Sequence, residues 1–498
     1  MATKIRRNIK NLTPSGPEIT AFKRGIAEMM RRPDTDPTSW IYQANIHGTS
    51  DRPALPGWSS CQHGNFFFLS WHRMYLYWLE RILRAASAEP TLALPFWDYS
   101  DRTQRALPRV FRTPADASNP LYVERRSTAM NQGGQLFASD VDNRIAFRSR
   151  IFSAPTAVGP GFGGYRVPPN VGGPPGLIEA QPHNVIHGKI GGWMGVVRMA
   201  ARDPIFWLHH VNIDRLWTRW LEQGEGRSNP GHTPAEEIWH THRFVFFDEN
   251  GSSVSMTGAD IIDTVGQLDY RYEPDPAVIP VTRRDLVPPA APSMEWAMDQ
   301  PERALMGTSR RRVIDLGADL VRVPIEVLRA NEDATAERAR TVALTEANVW
   351  ASAEEGPMLL RLEGIHFDPS PGVSYEIYLN LPEGKEPNYR GRYYVGNLGF
   401  FAQDHGSSEG AHGPAEHQHQ HHQAVQEFDI TSNVRALEKH GEWRGQPTSV
   451  TFVQRGLRPR AGKAAARAAA VAAERRPEPN ITVDRVTITM SEVDRRAD

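Results

Sequence analysis

The chain has 498 residues, 40% of them hydrophobic and 23% charged, and its 57 basic and 58 acidic side chains leave a formal net charge of −1. That length exceeds what one hydrophobic core holds, so two domains are expected, and the balanced charge excludes nucleic-acid or anionic-membrane binding through a global field. No run of about 18 apolar residues is present. No apolar leader follows Arg6-Arg7, and Cys61 is the only cysteine, which excludes intrachain disulfides and sets the expectation of a cytoplasmic protein.

Residues 1–35 read as a basic, partly helical lead-in, with Ile19, Phe22, Ile26 and Met29 at spacings of three and four. The segment TSWIYQANIHGTS ends in His47, ahead of a loop, DRPALPGWSSCQHGN, that carries Cys61 and His63. FFFLSWHRMYLYWLERILRAA then predicts a helix with Phe68, His72, Tyr75, Leu79, Ile82 and Leu83 on one stripe. It is apolar on nearly every side until Arg81, which places it at the centre of a bundle. A histidine in so apolar a helix must be satisfied by a hydrogen bond or by metal. LALPFWDYS reads as an extended segment closing that core. Residues 105–180 are largely irregular, and VGPGFGGYRVPPNVGGPPG, leading into Glu179 and His183, is expected to form a wall of the active site.

His183 and His187 are four residues apart, so on a helix both imidazoles project from one face and reach one metal ion. Asp203-Pro204 combines an N-cap oxygen with a residue pre-set for the first turn, and predicts a second helix from about Pro204. On it Phe206, His210 and Asp214 share a face. EIWHTHRFVFFDENG reads as an extended segment and turn. The Pro-rich VIPVTRRDLVPPAAPSMEWAMDQPE suggests a linker. Beyond about residue 311 the β-branched, alternating runs VRVPIEV, TVALTEANVW, MLLRLEGIHF, YEIYLNL, RYYVGNLGFF, SVTFVQRG and RVTITMSEV predict an all-β sandwich or barrel. Two inserts interrupt it. HGPAEHQHQHHQ, with His412, His417, His419, His421 and His422, reads as a solvated loop or a metal-capturing tract, and RAGKAAARAAAVAAERR as a linker.

The histidines fall into two groups, His47, His63 and His72, and His183, His187 and His210. Six imidazoles without a bridging carboxylate are unlike di-iron carboxylate bundles, and they exceed the three ligands of a catalytic zinc site. Imidazole accommodates both oxidation states of copper, and two facing three-coordinate coppers leave room for dioxygen.

HGNFFFLSWHRMYLYWLE, from His63 to Glu80, resembles the first copper signature of the tyrosinase and polyphenol oxidase family of coupled dinuclear copper proteins; DPIFWLHHVNID, from Asp203 to Asp214, resembles the second. The resemblance implies a mainly α catalytic domain over 1–275 with a four-helix-bundle dicopper core, a linker over 276–310, and a β-rich C-terminal domain over 311–498. It implies two copper ions as cofactors, dioxygen as co-substrate and small phenols as substrates. It makes His210 the ligand, with His209 and Asp214 one layer behind. Cys61 matches the cysteine that forms a thioether with the second histidine of the first copper site, here His63. Glu179 matches the acidic residue that orients a water, and Asn184 the asparagine that acts with it in deprotonating a monophenol. Phe68 and Phe206 each place a ring beside an imidazole of the pocket. Val197 resembles the small gate residue above the second copper, and Gly188 leaves the entrance open.

RRNIKNLTPSGPEITAFKRG and Tyr270-Arg-Tyr272 are also family-like, tying the two ends of the domain together. LRLEGIHFDPSPGVSYEIYLN and SVTFVQRGL resemble the C-terminal domain that covers the copper site in latent plant polyphenol oxidases, with Phe400 and Phe401 as candidate plugs. The implied activity is that of a tyrosinase, ortho-hydroxylation of monophenols and oxidation of o-diphenols to o-quinones. A catechol or o-aminophenol oxidase would share its ligands, and a hemocyanin-like oxygen carrier is the reading from another class. Nothing in the sequence points to nucleic acid or membrane, and a homo-oligomer stays open.

Overall fold

The computed structural model describes residues 3–155, 159–274, 303–327, 357–367, 371–401, 425–443, 448–458 and 480–491. The linker stretch 276–302, the segment TVALTEANVW, the His-rich insert with His412 to His422 and the Ala-rich insert lie outside the described residues.

The described residues form two hydrophobic cores. The first is built on helices α1 (Pro17–Arg31), α2 (Trp40–His47), α3 (Phe68–Ser87), α4 (Thr128–Asn131), α5 (Arg144–Arg148), α6 (Val185–Ile190), α7 (Val197–Ala200), α8 (Pro204–Glu222) and α9 (Glu237–Thr241). Ile19, Phe22, Ile26 and Met29 of α1 are buried as their spacing predicts, and Gly25 lets α1 approach α3 until an added Cβ would lie 3.1 Å from the Leu83 carbonyl. Ser39 caps α2 by accepting the Tyr42 N–H at 3.1 Å. Asp203 caps α8 at the Ile205 N–H (3.0 Å), and its carboxylate is held bidentately by buried Arg126 at 2.7 Å. Helices α3 and α8 are buried on nearly every side and pack on one another. The stretch expected to be extended after α8 begins as α9, because Trp239 is buried there with its Nε1–H donated to the Phe66 carbonyl (3.1 Å).

The ends of this unit are joined by a short parallel pair, β1 (Lys4–Arg6) with β6 (Tyr270–Tyr272); between them come β2 (Ser153–Ala154) with β3 (Gly164–Tyr165) and the hairpin β4 (Phe244–Phe247) with β5 (Ser253–Met256). Asp214 sits under that junction. Its Oδ1 accepts Arg73 Nε at 2.5 Å, while its Oδ2 accepts Arg6 Nη1 at 3.2 Å and the Tyr270 and Tyr272 hydroxyls at 2.5 Å each. Arg6 also donates Nε to Glu80 at 3.0 Å and lies over the Tyr270 ring. Burial alone would raise the Asp214 carboxyl, but Arg73, Arg6 and the two hydroxyls outweigh it and hold it below the usual carboxylate range. Asp214, expected one layer behind the ligands, is therefore the knot that ties both ends of the helical unit to α3 and α8.

The second core is enclosed by β7 (Arg303–Ser309), β8 (Ile314–Asp315), β9 (Leu320–Val327), β10 (Met358–Phe367), β11 (Ser374–Leu379), β12 (Tyr394–Leu398), β13 (Val425–Asp429), β14 (Thr448–Arg455) and β15 (Ile481–Ser491), with α10 (Thr431–Lys439) between β13 and β14. Their order is β12-β11-β14-β9-β7-β15-β10-β13, with β8 on β15. The terminal strands meet where Gln426 donates to the Asn397 carbonyl at 3.1 Å, so the sheet nearly closes and leaves little free edge. Residues 303–309, expected in the linker, are strand β7, paired with β15 and β9, so the β unit begins earlier than its alternation suggests.

Polar contacts hold the barrel to the helical unit. Gln135 and Arg458 exchange backbone hydrogen bonds at 2.8 Å. Buried Lys189 donates to the carbonyls of Arg455 and Gly456 and faces Asp140 at 3.3 Å, and the Tyr165 hydroxyl donates to Glu427.

Replacing Asp214 would strip buried Arg73 of its carboxylate and leave buried Arg6 with Glu80 alone. Asp214→Ala is expected to lose about 3–5 kcal/mol of stability, where removing the exposed Arg310–Glu326 pair loses under about 1 kcal/mol. Because the folded carboxyl titrates below its unfolded value, the wild-type advantage is complete above about pH 4 and shrinks as pH falls further. Denaturant unfolding of both variants across pH measures it, and equal losses would refute the knot.

Candidate metal centre

The six histidines expected as ligands converge in the helical unit. His47 closes α2, His72 lies on α3, His187 on α6 and His210 on α8; His63 and His183 precede α3 and α6. All six are buried, and His63, at 8% exposure, is the least covered. In the first group the ring centroids of His47, His63 and His72 lie 5.2–5.6 Å apart. In the second the His210 Nε2 lies 3.3 Å from His183 Nε2 and 3.4 Å from His187 Nε2. The groups touch where His72 and His210 stack at 4.3 Å.

Backbone geometry sets the tautomers. His47 Nδ1 contacts the Val197 carbonyl at 2.8 Å, His72 Nδ1 the Phe68 carbonyl at 2.7 Å and His187 Nδ1 the Met194 carbonyl at 2.6 Å; His183 Nδ1 contacts Asn184 Oδ1 at 2.9 Å. An oxygen of this kind can only accept, so each Nδ1 carries the proton and each Nε2 presents a lone pair. Among the described residues the Nε2 atoms of His47, His63 and His72 have no partner at all. Those of His183 and His187 meet only the His210 Nε2, and the His210 Nδ1 has no partner among the described residues. Burial, then the neighbouring imidazoles for all but His47, disfavour protonation: His47 falls to about 4, His183 to about 3, and His63, His72, His187 and His210 well below the ordinary value. Neutral imidazoles with inward lone pairs, each fixed from behind by an oxygen in four of six cases, fit two metal ions.

The phenylalanines bind the groups together. Phe68 lies 4.8 Å from His72 and 4.7 Å from His183; Phe206 lies 4.2 Å from His210 and 4.9 Å from His47. Each ring thus wedges beside its own helix's histidine and one of the opposite group. His209 is nearer than expected. It is fully buried, 4.9 Å from His187 and 5.2 Å from His183, and its ligand atom falls within 4.8 Å of those of His183, His187 and His210. The Nε2 contacts of His210 distinguish it as the member pointing at the pair.

Glu179 is buried with both oxygens 3.0 Å from the Gly64 N–H, next to His63, and burial raises its carboxyl to about 8. Cys61 Sγ falls within 4.8 Å of the ligand atoms of His47 and His63; burial, then the Glu179 charge, pushes the thiol up to about 12.

Val197, expected as a gate over the second group, also lends its carbonyl to hold His47 of the first, and Gly48 allows this because an added Cβ would lie 2.8 Å from Arg198 Cα. One expectation is corrected. The entrance expected to be open at Gly188 is covered: an added Cβ there would lie 2.6 Å from the Phe400 carbonyl, and the Phe401 ring stacks on His187 at 3.9 Å with His183 and His63 at 5.5 and 5.6 Å. Phe400 itself is a barrel core residue, packed on Phe367 and Tyr375. Residues that act without any sequence signal are Phe68, Met194 and Val197 through the carbonyls that accept from the histidines, because every residue has a carbonyl, and Gln181, whose amide spans the two units.

Comparison with known proteins agrees with this geometry. A family profile described as the common central domain of tyrosinase matches residues 37–160 and 165–223, the polyphenol oxidase middle domain matches 236–283, and a domain of unknown function matches 304–490. The tyrosinase HcTyr1 of Hahella sp. (strain CCB-MM4) is 34% identical over 312 residues, 54% of this chain and 63% of that protein. The latent-form polyphenol oxidase of Prunus armeniaca is 32% identical over 287 residues, 51% of this chain and 46% of that protein. The chain thus spans between about half and under two-thirds of the length of these curated relatives. The fold is shared with a latent aurone synthase (polyphenol oxidase), at a TM-score of 0.60 and 22% identity, over 99% of this chain and 90% of that one. The expected cytoplasmic location does not stand: the Prunus protein and the other plant polyphenol oxidases matched are chloroplastic, and lack of an apolar leader, on which the expectation rested, does not specify the cytoplasm. Two histidine groups on paired helices, the signatures around them and the two profiles that match residues 37–283 together establish that the helical unit of this chain belongs to the tyrosinase and polyphenol oxidase family.

Proposed function

We propose that this protein is a tyrosinase, which hydroxylates monophenols ortho to their hydroxyl and oxidises o-diphenols to o-quinones with dioxygen as co-substrate. One observation carries the reading: six buried imidazoles converge, four of them with Nε2 lone pairs turned inward by an oxygen at Nδ1, a donor set for two copper ions, one at His47, His63 and His72, the other at His183, His187 and His210. The copper pair, when bound, supplies dioxygen activation and the oxidising equivalents. The Hahella relative is a tyrosinase and the plant relatives are polyphenol oxidases, which supports phenols as the substrate class.

The chain's own residues position and deprotonate the substrate. A phenol with a pKa near about 10 must lose its proton before its oxygen can serve as a ligand. We assign that proton to Glu179, through a water oriented with Asn184. Glu179 is fixed by the Gly64 N–H beside His63, which sets its carboxylate where it can hold that water. Asn184 Oδ1 holds the His183 Nδ1–H, which leaves its amide nitrogen to orient the water. Phe68 and Phe206 keep water from the imidazoles. Cys61 is assigned a thioether to a ring carbon of His63: a C–S bond forms, one hydrogen leaves each partner, and dioxygen accepts both. Residues 1–275 are assigned as the catalytic domain and the barrel as its cover. The Phe401 ring on His187 supports a latent form, as does the latent Prunus relative.

Three measurements test this. Oxygen uptake by the copper-loaded chain is expected with both tyrosine and L-DOPA; uptake with L-DOPA alone would reduce the activity to catechol oxidation, and none with either substrate in the Phe401→Ala variant would end the reading. Phe401→Ala itself should raise uptake about tenfold if the covered state holds roughly nine-tenths of the molecules. In that background Glu179→Gln should slow monophenol hydroxylation on the order of a hundredfold while sparing L-DOPA oxidation. Intact mass after copper removal should be lighter than the sequence mass by the two lost hydrogens, and Cys61→Ser should show no such deficit; a free, alkylatable thiol in copper-matured protein would exclude the thioether.

A further inference from the structure

The turn that carries Glu179, His183 and Asn184 is not a continuous helix. Residues Glu179–Asn184 form a single wide turn in which Gln181 adopts an extended conformation (φ −151°, ψ 123°) between helical neighbours. Such a break surrenders the backbone bonds that would hold its two ends at a fixed distance. The glutamate end is tied to the Gly64 N–H, and the histidine end runs on into α6. What holds the middle is the Gln181 side chain. It is buried, its Nε2 donates to the Ser139 carbonyl at 2.8 Å and to the Tyr394 hydroxyl at 3.3 Å, and its Oε1 accepts the Asn397 N–H at 3.0 Å.

Two of those three partners belong to barrel strand β12. Tyr394 in turn donates to Asn397 Oδ1 at 3.0 Å, and the Asn397 carbonyl accepts Gln426 of β13. Past β12 the chain runs directly along the metal-site turn. An added Cβ at Gly399 would lie 2.6 Å from Val185 N and 2.9 Å from the Asn184 carbonyl carbon, and Gly188 abuts Phe400 in the same way. Residues 397–401 are therefore laid against 181–188 backbone to backbone, which blocking the site with one phenylalanine ring does not require.

We propose that Gln181 is a positioning residue through which β12 splints the Glu179–Asn184 turn, so that the barrel shapes the hydroxylating end of the site as well as covering it. The inference rests on the phenol-oxidising reading above for its catalytic consequence, though not for its structural one. It separates two ways of opening the site: trimming Phe401 leaves the splint in place, and losing the grip of β12 does not.

The test uses the full chain. Gln181→Leu removes both polar ends of the clasp, and Tyr394→Phe removes one barrel hydroxyl. In the metal-free protein, amide exchange in the peptide over 178–188 should accelerate about tenfold in Gln181→Leu and less in Tyr394→Phe, with the peptides over 40–50 and 63–80 unchanged. In the Phe401→Ala background, each substitution should lower kcat for tyrosine relative to kcat for L-DOPA, by about tenfold for Gln181→Leu, with KM for L-DOPA unmoved. Unchanged exchange in both variants, or faster exchange with an unchanged kcat ratio, overturns the splint. If Phe401→Ala oxidises neither phenol, the functional reading has failed instead, and the exchange measurement alone decides whether β12 holds the turn.

Discussion

Neutral imidazoles cannot be gathered in a dry interior with their lone pairs facing one another unless a cation lies between them. That constraint organises this protein. The Nδ1 atoms of His47, His72, His183 and His187 are each committed to an oxygen, so these rings cannot turn to relieve the opposition of their Nε2 atoms. Burial disfavours the one alternative, protonation, because imidazolium charges this close would repel one another where little solvent screens them. The interior has been built around positive charge that the protein does not itself supply.

Much of the remaining structure keeps that arrangement rigid. Helices α3 and α8 present His72 and His210 face to face, and Phe68 and Phe206, one turn before each, wedge against imidazoles of the opposite group. Four residues on a helix return to the same face, so each helix delivers its ring and its ligand together. The same helix pair is tied from outside by Asp214, one turn beyond His210, which gathers Arg6, Arg73, Tyr270 and Tyr272. Ends of the helical unit some 260 residues apart close over the bundle at the point where Asp214 and Glu80 together neutralise the buried Arg6 and Arg73.

The sequence disclosed the parts of this plan that are local. The i, i+4 spacing of His183 and His187, the Asp203-Pro204 start of α8 and the apolar run around His72 set the ligand helices before any coordinates. The alternation in MLLRLEGIHF and SVTFVQRG likewise marks strands, because period two is a property of neighbouring residues. What stayed hidden depends on partners distant in the chain. Residues 303–309 read as linker because their pairing with β15 lies beyond any local window, and the Val197 carbonyl that holds His47 has no signature in the side chain. Asp214 shares a face with His210 on a helical wheel, yet its charge is answered by residues from both ends of the helical unit. Phe400 and Phe401 were indistinguishable as neighbouring aromatics; one faces the barrel core and the other the histidines, since successive residues past a strand point opposite ways.

The position of Phe401 bears on how a cover of this kind can be released. Its stacking on His187 is a single aromatic contact, worth about 0.5–1.5 kcal/mol beyond the area it buries. The barrel's grip lies elsewhere, in Lys189 on the Arg455 and Gly456 carbonyls, the Gln135–Arg458 bridge, Tyr165 on Glu427 and the Gln181 clasp. These are polar contacts, and separating the units would return them to water, where most of their partners can be replaced. The seam is apolar as well as polar, since Leu457 and Phe401 pack on the helical core and Ile145 on the barrel core. Parting the units would therefore release the Glu179–Asn184 turn that β12 grips through Gln181, while the oxygens that fix His47, His72 and His187 stay with the helical unit.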